Sequence, residues 1–139
     1  MNLAALPVPV VIDASWAIEV ALGSPTHAKR WASWLRDDRM LLGPALIWAE
    51  IANALMLGPA RMSAADATDR VEALALAGLE ATDRGIRGVR EAARLVERHR
   101  LTVYNAMYLQ LAIDVDGELA SHDRALRRAA DAEGITDAD

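Results

Sequence analysis

The stretch "VPVVIDASWAIEVAL", residues 8–22, decides the fold. Its first part, Val8 to Asp13, is short, β-branched and bounded by turn-prone residues, the pattern of a buried strand. "SWAIEVAL" follows directly as a short helix, closed by Gly23 with Pro25 just beyond. Asp13 stands at the joint. A carboxylate at the carboxyl end of a central strand lies at the crevice where α/β folds bind ligands. The same carboxylate can instead cap the helix by accepting its free N–H groups. Both readings stay open from these residues alone.

Strand and helix signals alternate along the rest of the chain. "HAKRWASWLRDD" is amphipathic, with Trp31, Trp34 and Leu35 at helical spacing; "RMLLGP" reads as a second strand. "ALIWAEIANALML" is a helix ended by Gly58 and Pro59, and "SAADATDRVEALALA" opens with Ser63 and Asp66 at capping-box spacing. "LEATD" is a short strand and "IRGVREAARLVERHR" a charged amphipathic helix. "LTVYNAMYLQLAID" starts a helix behind a Thr102 cap, and "GELASHD" is a strand running into the helix "RALRRAADAEG". This alternation predicts an α/β fold with a mainly parallel central sheet. With 139 residues and no repeat or linker, residues 1–139 are expected to form a single domain.

Composition narrows the chemistry. The chain has no cysteine, which excludes disulfides, zinc–thiolate sites and thiol nucleophiles. The N-terminus has no basic segment and no apolar run reaches the roughly 20 residues of a membrane span, so a cytoplasmic protein without membrane contact is expected. A net charge of −5 argues against a surface that is basic throughout. Fourteen arginines against one lysine leave room for a local phosphate-gripping rim, although such a bias also follows from genome composition. A P-loop is missing, as is the Gly-x-Ser-x-Gly elbow of serine hydrolases. The single lysine, Lys29, sits in the tryptophan helix, which disfavours phosphoaspartate chemistry. His27, His99 and His122 show no metal-like spacing.

Two further acids interrupt apolar or strand-end patterns. In "ALIWAEIANALML" every residue except Glu50 and Asn53 is apolar, so Glu50 either forms a solvent edge with Asn53 or reaches a cation, a metal or water. Asp123 follows a strand, as Asp13 does, with Ser121 two residues earlier; it can cap the last helix or face the crevice. Three carboxylates on separate elements, with Asn105 in the first turn of another helix, can converge on one crevice. Such a cluster repels a phosphate backbone unless a divalent cation intervenes. Hard Mg²⁺ or Mn²⁺ prefers these oxygen ligands, and phosphodiester hydrolysis is the chemistry that makes the acids useful.

"VIDASWAIEVAL", "GPALIWAEIANAL", "LTVYNAMYLQLA" and "ELASHDRALRRAA" together resemble PIN-domain ribonucleases, specifically the VapC-like toxins of type II toxin–antitoxin pairs. The resemblance covers nearly the whole chain and implies a three-layer α/β/α domain. It makes Asp13 the first family acid, Glu50 the second and Asp123 the fourth, with Ser121 helping to hold Mg²⁺, for which Mn²⁺ can substitute. The third acid is an aspartate where this chain has Asn105. An introduced Asp→Asn change, natural variation in a weak or substrate-binding member, and a register in which Asp114 or Asp116 supplies the acid all account for that departure. The resemblance implies a divalent-metal-dependent endoribonuclease acting on transfer or ribosomal RNA, with activity of this chain reduced or lost at Asn105. A catalytically silent RNA- or partner-binding module is the alternative. Ser15 and Arg124 are expected substrate contacts, with Arg127 and Arg128 as weaker candidates. The implied partners are a cognate antitoxin and a second copy of the chain. Trp16, Trp31 and Trp34 are candidates for the antitoxin groove, or else core residues, the reading preferred for Trp48.

Overall fold

The computed structural model describes residues 6–139. Its elements are β1 (Val10–Ile12), α1 (Ala14–Ala21), α2 (Pro25–Arg36), β2 (Leu41–Gly43), α3 (Ile47–Leu57), α4 (Ala64–Leu76), β3 (Leu79–Ala81), α5 (Ile86–His99), α6 (Val103–Asp114), β4 (Glu118–Ala120) and α7 (Arg124–Ala132). The alternation read from the sequence is present throughout. Pro25 opens α2 behind the Ser24 cap, so the proline that ends one helix is also the first residue of the next.

The four strands are all parallel, in the order β3-β2-β1-β4. Val10, Val11 and Ile12 are fully buried, as expected of a central strand covered on both faces. From β1 the chain moves outward to β2 and β3, then returns to place β4 on the other side of β1. Right-handed crossovers then put the helices before β3 on one face and those after it on the other. In keeping with this, α1 packs on α2, α3 and α4, whereas α5 packs on α6 and α6 on α7. The outer edge of β4 is covered in part by the C-terminal segment, through Leu119 N–H to Thr136 O and Ala138 N–H to Leu119 O.

The reversal at β1 creates a switch point at the carboxyl ends of β1 and β4, where open α/β sheets bind ligands. The two ends are tied by a bond from Asp13 N–H to Ala120 O of 3.1 Å. Gly43 ends β2 where an added Cβ would lie 2.9 Å from Ile47 Cδ1. Its missing side chain lets the start of α3, which carries Glu50, settle close to the sheet.

Candidate acidic cleft

α1, α3 and α7 each follow a strand, so their starts lie at the carboxyl end of the sheet, and α6, which follows α5, brings its start to the same cleft. Each brings one polar side chain. Asp13 is the N-cap of α1, Glu50 lies in the first turn of α3, Asn105 in that of α6, and Asp123 is the N-cap of α7. A cleft of about 250 Å³ is lined by Asp13, Ser15, Glu50, Asn105, Tyr108 and Asp123 with Ala14, Ile18 and Ala54. No cationic side chain is among these lining residues. The helix N-termini supply partial positive charge to the carboxylates.

Both sequence readings of Asp13 and of Asp123 hold at once: each caps its helix and lines the cleft. Asp13 Oδ1 accepts from Trp16 N–H at 3.0 Å and from Ser15 Oγ at 2.6 Å, while Oδ2 accepts from Ser121 Oγ at 2.5 Å. Asp123 Oδ1 accepts from Leu126 N–H, and Ser121 Oγ accepts from Asp123 N–H. Ser121 is buried and makes its contacts to Asp13 and the Asp123 backbone, which joins the two strand-end acids. Ser15 adds a third link by accepting from His122 N–H at 2.9 Å.

Glu50 is half-buried and takes a 2.6 Å hydrogen bond from Tyr108 O–H, whereas Asn53 is exposed. The solvent-edge reading therefore applies to Asn53 and not to Glu50. Tyr108 is a site residue that the sequence reading does not single out. The signal for it is its i, i+3 spacing from Asn105, which places both on one side of α6. Asn105 has its backbone N–H held by Thr102 Oγ at 3.1 Å; among the described residues its side-chain amide makes no hydrogen bond.

Burial pushes the Asp13 carboxyl above its ordinary value, opposed by the bonds from Ser121, Ser15 and Trp16, with the nearby Asp123 charge pushing it further up. Burial also raises Glu50, opposed by the Tyr108 bond and reinforced by Asp13. Burial and the Glu50 contact raise the Tyr108 phenol, which keeps it a donor at neutral pH. Folded carboxyls that bind protons more tightly than unfolded ones add stability below the unfolded pKa, lost as pH rises through the folded one. The metal-free protein is therefore expected to gain stability from these two groups as pH falls from neutral toward 3.8 and 4.5, their ordinary values. Glu133, held low by His99 and Arg98, acts with the opposite sign. The difference in urea-unfolding free energy between the wild type and Asp13→Asn/Glu50→Gln across pH isolates the cleft; a difference that does not vary with pH would refute the coupling. Tyr108→Phe should raise the Glu50 pKa further and cost about 1 kcal/mol of stability, measured by the same melts.

Several residues expected at the site from the sequence lie elsewhere. Asp114 accepts from Arg84 and Gln110 and lines a separate cleft with Pro44 and Met107, and Asp116 sits in the turn after α6 at φ 52°. Neither takes the place of Asn105. Arg124 is exposed and borders a neighbouring cleft rather than the acidic one. Trp16, Trp31 and Trp34 are 0%, 4% and 1% exposed, so they form core rather than an open groove. The Trp16 and Trp31 indole N–H groups donate within the chain, to Asp139 Oδ2 and to Ala77 O. Trp48, expected in the core, is only half-buried against it. His27 and His122, with no pairing signal in the sequence, have their Nε2 atoms 2.8 Å apart.

Fold and cleft together define a parallel α/β domain with an acidic switch-point site. The PIN domain family matches residues 10–132, and the chain belongs to that family. PIN domains are typically metal-dependent nucleases. The crystal structure of PAE2754 from Pyrobaculum aerophilum superposes with a TM-score of 0.71 at 23% identity, over 97% of this chain and 93% of that one, a likeness of fold. Comparison with curated proteins finds no match. Among the described residues no helix is long and apolar enough to cross a membrane.

The donor set fits a hard divalent ion. The polar lining residues are carboxylates, an amide, a serine and a tyrosine, with no nitrogen-ring or sulfur ligand. Among the described residues, however, no three His, Asp or Glu side chains are grouped to hold one ion together. The acids share the cleft without collapsing on one point, because the Asp13 oxygens and Asp123 Oδ1 are held by protein donors. A largely hydrated ion bound by one or two carboxylates, the usual habit of Mg²⁺, suits that spacing.

Proposed function

We propose that this chain is the toxin component of a toxin–antitoxin pair, an endoribonuclease dependent on Mg²⁺ or Mn²⁺, with activity reduced or abolished by Asn105. The observation that carries the reading is the meeting of Asp13, Glu50, Asp123 and Asn105, from four helix starts, in one cleft without a lining cation. Asp13, Glu50 and Asp123 would hold the ion, with Asn105 as a neutral oxygen donor and Ser121 fixing Asp13 from behind. When bound, the ion supplies charge neutralisation for the phosphodiester and acidifies water. The chain's own part is to orient these carboxylates through Ser15, Ser121 and Tyr108 and to keep the cleft wall apolar at Ile18 and Ala54.

Transfer or ribosomal RNA is the substrate class of this reading, and a cognate antitoxin and a second copy of the chain are its partners. With the three tryptophans in the core, exposed apolar side chains such as Leu57, Leu76 and Tyr104 are the groups available for such contacts. A second reading, a catalytically silent RNA- or partner-binding module, is favoured by the amide at position 105. Incubating total cellular RNA with this chain and with Asn105→Asp, in Mg²⁺ and in chelator, separates the two. Cleavage by either protein in Mg²⁺ alone supports the nuclease; RNA binding with no cleavage by both supports the silent module.

A further inference from the structure

The acidic cleft holds the reacting position, but nothing lining it attracts the polyanion on either side. The next residue after Asp123 opens a different surface. A second cleft, about 430 Å³, runs between α7 and the C-terminal segment that covers the edge of β4. It is bordered by Arg124, Arg127 and Arg128, with Asp131 and Asp137 on its rim and Leu119 and Ile135 in its wall. Its size falls within the roughly 300–1,000 Å³ of small-ligand pockets, enough for a nucleotide unit.

The three guanidiniums are not equivalent. Arg127 is paired with Asp137 at 2.9 Å, so its guanidinium already has a carboxylate partner on the rim. Among the described residues, Arg124 and Arg128 have no carboxylate partner within ion-pair distance, even though Asp131 lies on the same rim. They are four residues apart, one helical turn or about 6 Å along the axis, and therefore share a face. Two unpaired guanidiniums at that spacing match adjacent phosphates, which arginine binds through paired N–H donors.

Resting on the nuclease reading above, we infer that this second cleft seats the RNA backbone next to the scissile phosphate. Arg124 and Arg128 each contact a phosphate, and the apolar wall lies alongside the intervening nucleoside. The strand then crosses from the acidic cleft over the start of α7. In this arrangement the protein separates its tasks: the acids take the cation and α7 takes the polyanion.

The alternative is a merely solvated basic face, and α5 provides the comparison. Arg90 and Arg94 are also exposed, also four apart and without an ion pair, but they border a groove on α5 that contains none of the acidic-cleft residues. The test is fluorescence anisotropy of a labelled single-stranded RNA across a salt series in Mg²⁺ buffer. Arg124→Glu/Arg128→Glu is compared with Arg90→Glu/Arg94→Glu, which changes net charge equally. The first pair is expected to weaken binding at least about tenfold and to flatten the slope of log K against log salt by about 1.4, the value for two lost single-strand phosphate contacts. The second pair should change the slope by less than about half that. Arg124→Gln/Arg128→Gln, which adds no negative charge, should show the same change in slope if the reversal variant folds poorly. Equal effects from both helices, or no effect from α7, overturn the inference while leaving the nuclease reading intact. A wild-type chain that binds no RNA overturns both.

Discussion

Asn105→Asp is expected to raise Mg²⁺-dependent RNA cleavage at least about 100-fold and to tighten Mg²⁺ binding at least about tenfold. The substitution changes almost nothing except charge. The backbone N–H of residue 105 is held by Thr102 Oγ, and among the described residues its side chain makes no hydrogen bond that the change would break. Asn and Asp have nearly the same shape, but the amide carries one carbonyl oxygen, no formal charge and no proton-accepting capacity at neutral pH. The variant would place a fourth carboxylate in a cleft already lined by Asp13, Glu50 and Asp123. In the metal-free protein that extra charge is unfavourable, because it adds like-charge repulsion to three carboxylates already in the cleft. In the metal-bound protein it is favourable. The same variant should therefore lower stability in chelator and raise it in Mg²⁺. Calorimetric titration with Mg²⁺, paired with thermal melts, reads both signs. Equal Mg²⁺ affinity in the two proteins would mean that residue 105 is not a ligand, and an inactive pair would refute the nuclease reading.

Local signals carry much of this architecture, and long-range pairings carry the rest. The strand ending at Asp13, the Ser63 and Thr102 caps and the Gly58 stop are decisions made within a few residues, and each is where the sequence places it. The position of β4 beside β1 is different, because no nearby residue encodes it. Leu119 pairs with Val11 across more than a hundred residues, as does Ser121 with Asp13. Tyr108 and Glu50 belong to helices whose mutual approach depends on that topology. Amphipathic spacing identifies a buried face without saying whether a core or a partner covers it, which is why Trp16, Trp31 and Trp34 read equally well as a groove. Adjacency to Asp123 points Arg124 at the acidic crevice, but one residue along a helix turns a side chain about 100°, enough to put it in the next cleft.

The second large effect concerns Asp13, where two substitutions should separate its structural and chemical roles. Asp13→Ala removes the α1 cap and leaves Trp16 N–H, Ser15 Oγ and Ser121 Oγ without their acceptor. Loss of a cap costs about 1 kcal/mol, and each stranded buried donor about 1–3 kcal/mol before relaxation. Both hydroxyls can rotate to other partners, so a net loss of about 3 kcal/mol is expected in urea melts of the metal-free protein. Asp13→Asn keeps one acceptor oxygen for Trp16 N–H and Ser15 Oγ, reverses the Ser121 contact so that the amide N–H donates to Oγ, and removes a charge that burial and the nearby Asp123 disfavour. Its stability in chelator at neutral pH should equal or exceed that of wild type. Both variants, built on Asn105→Asp, should lose Mg²⁺-dependent cleavage and the stabilisation that Mg²⁺ gives. An Asn variant as unstable as the Ala variant would show that the fold itself requires the charge. The expected order, Asn at or above wild type and Ala well below, has a direct implication. A buried carboxylate whose neutral isostere makes the metal-free fold no weaker is there for the cation its charge binds, and the cap geometry fixes where that charge points.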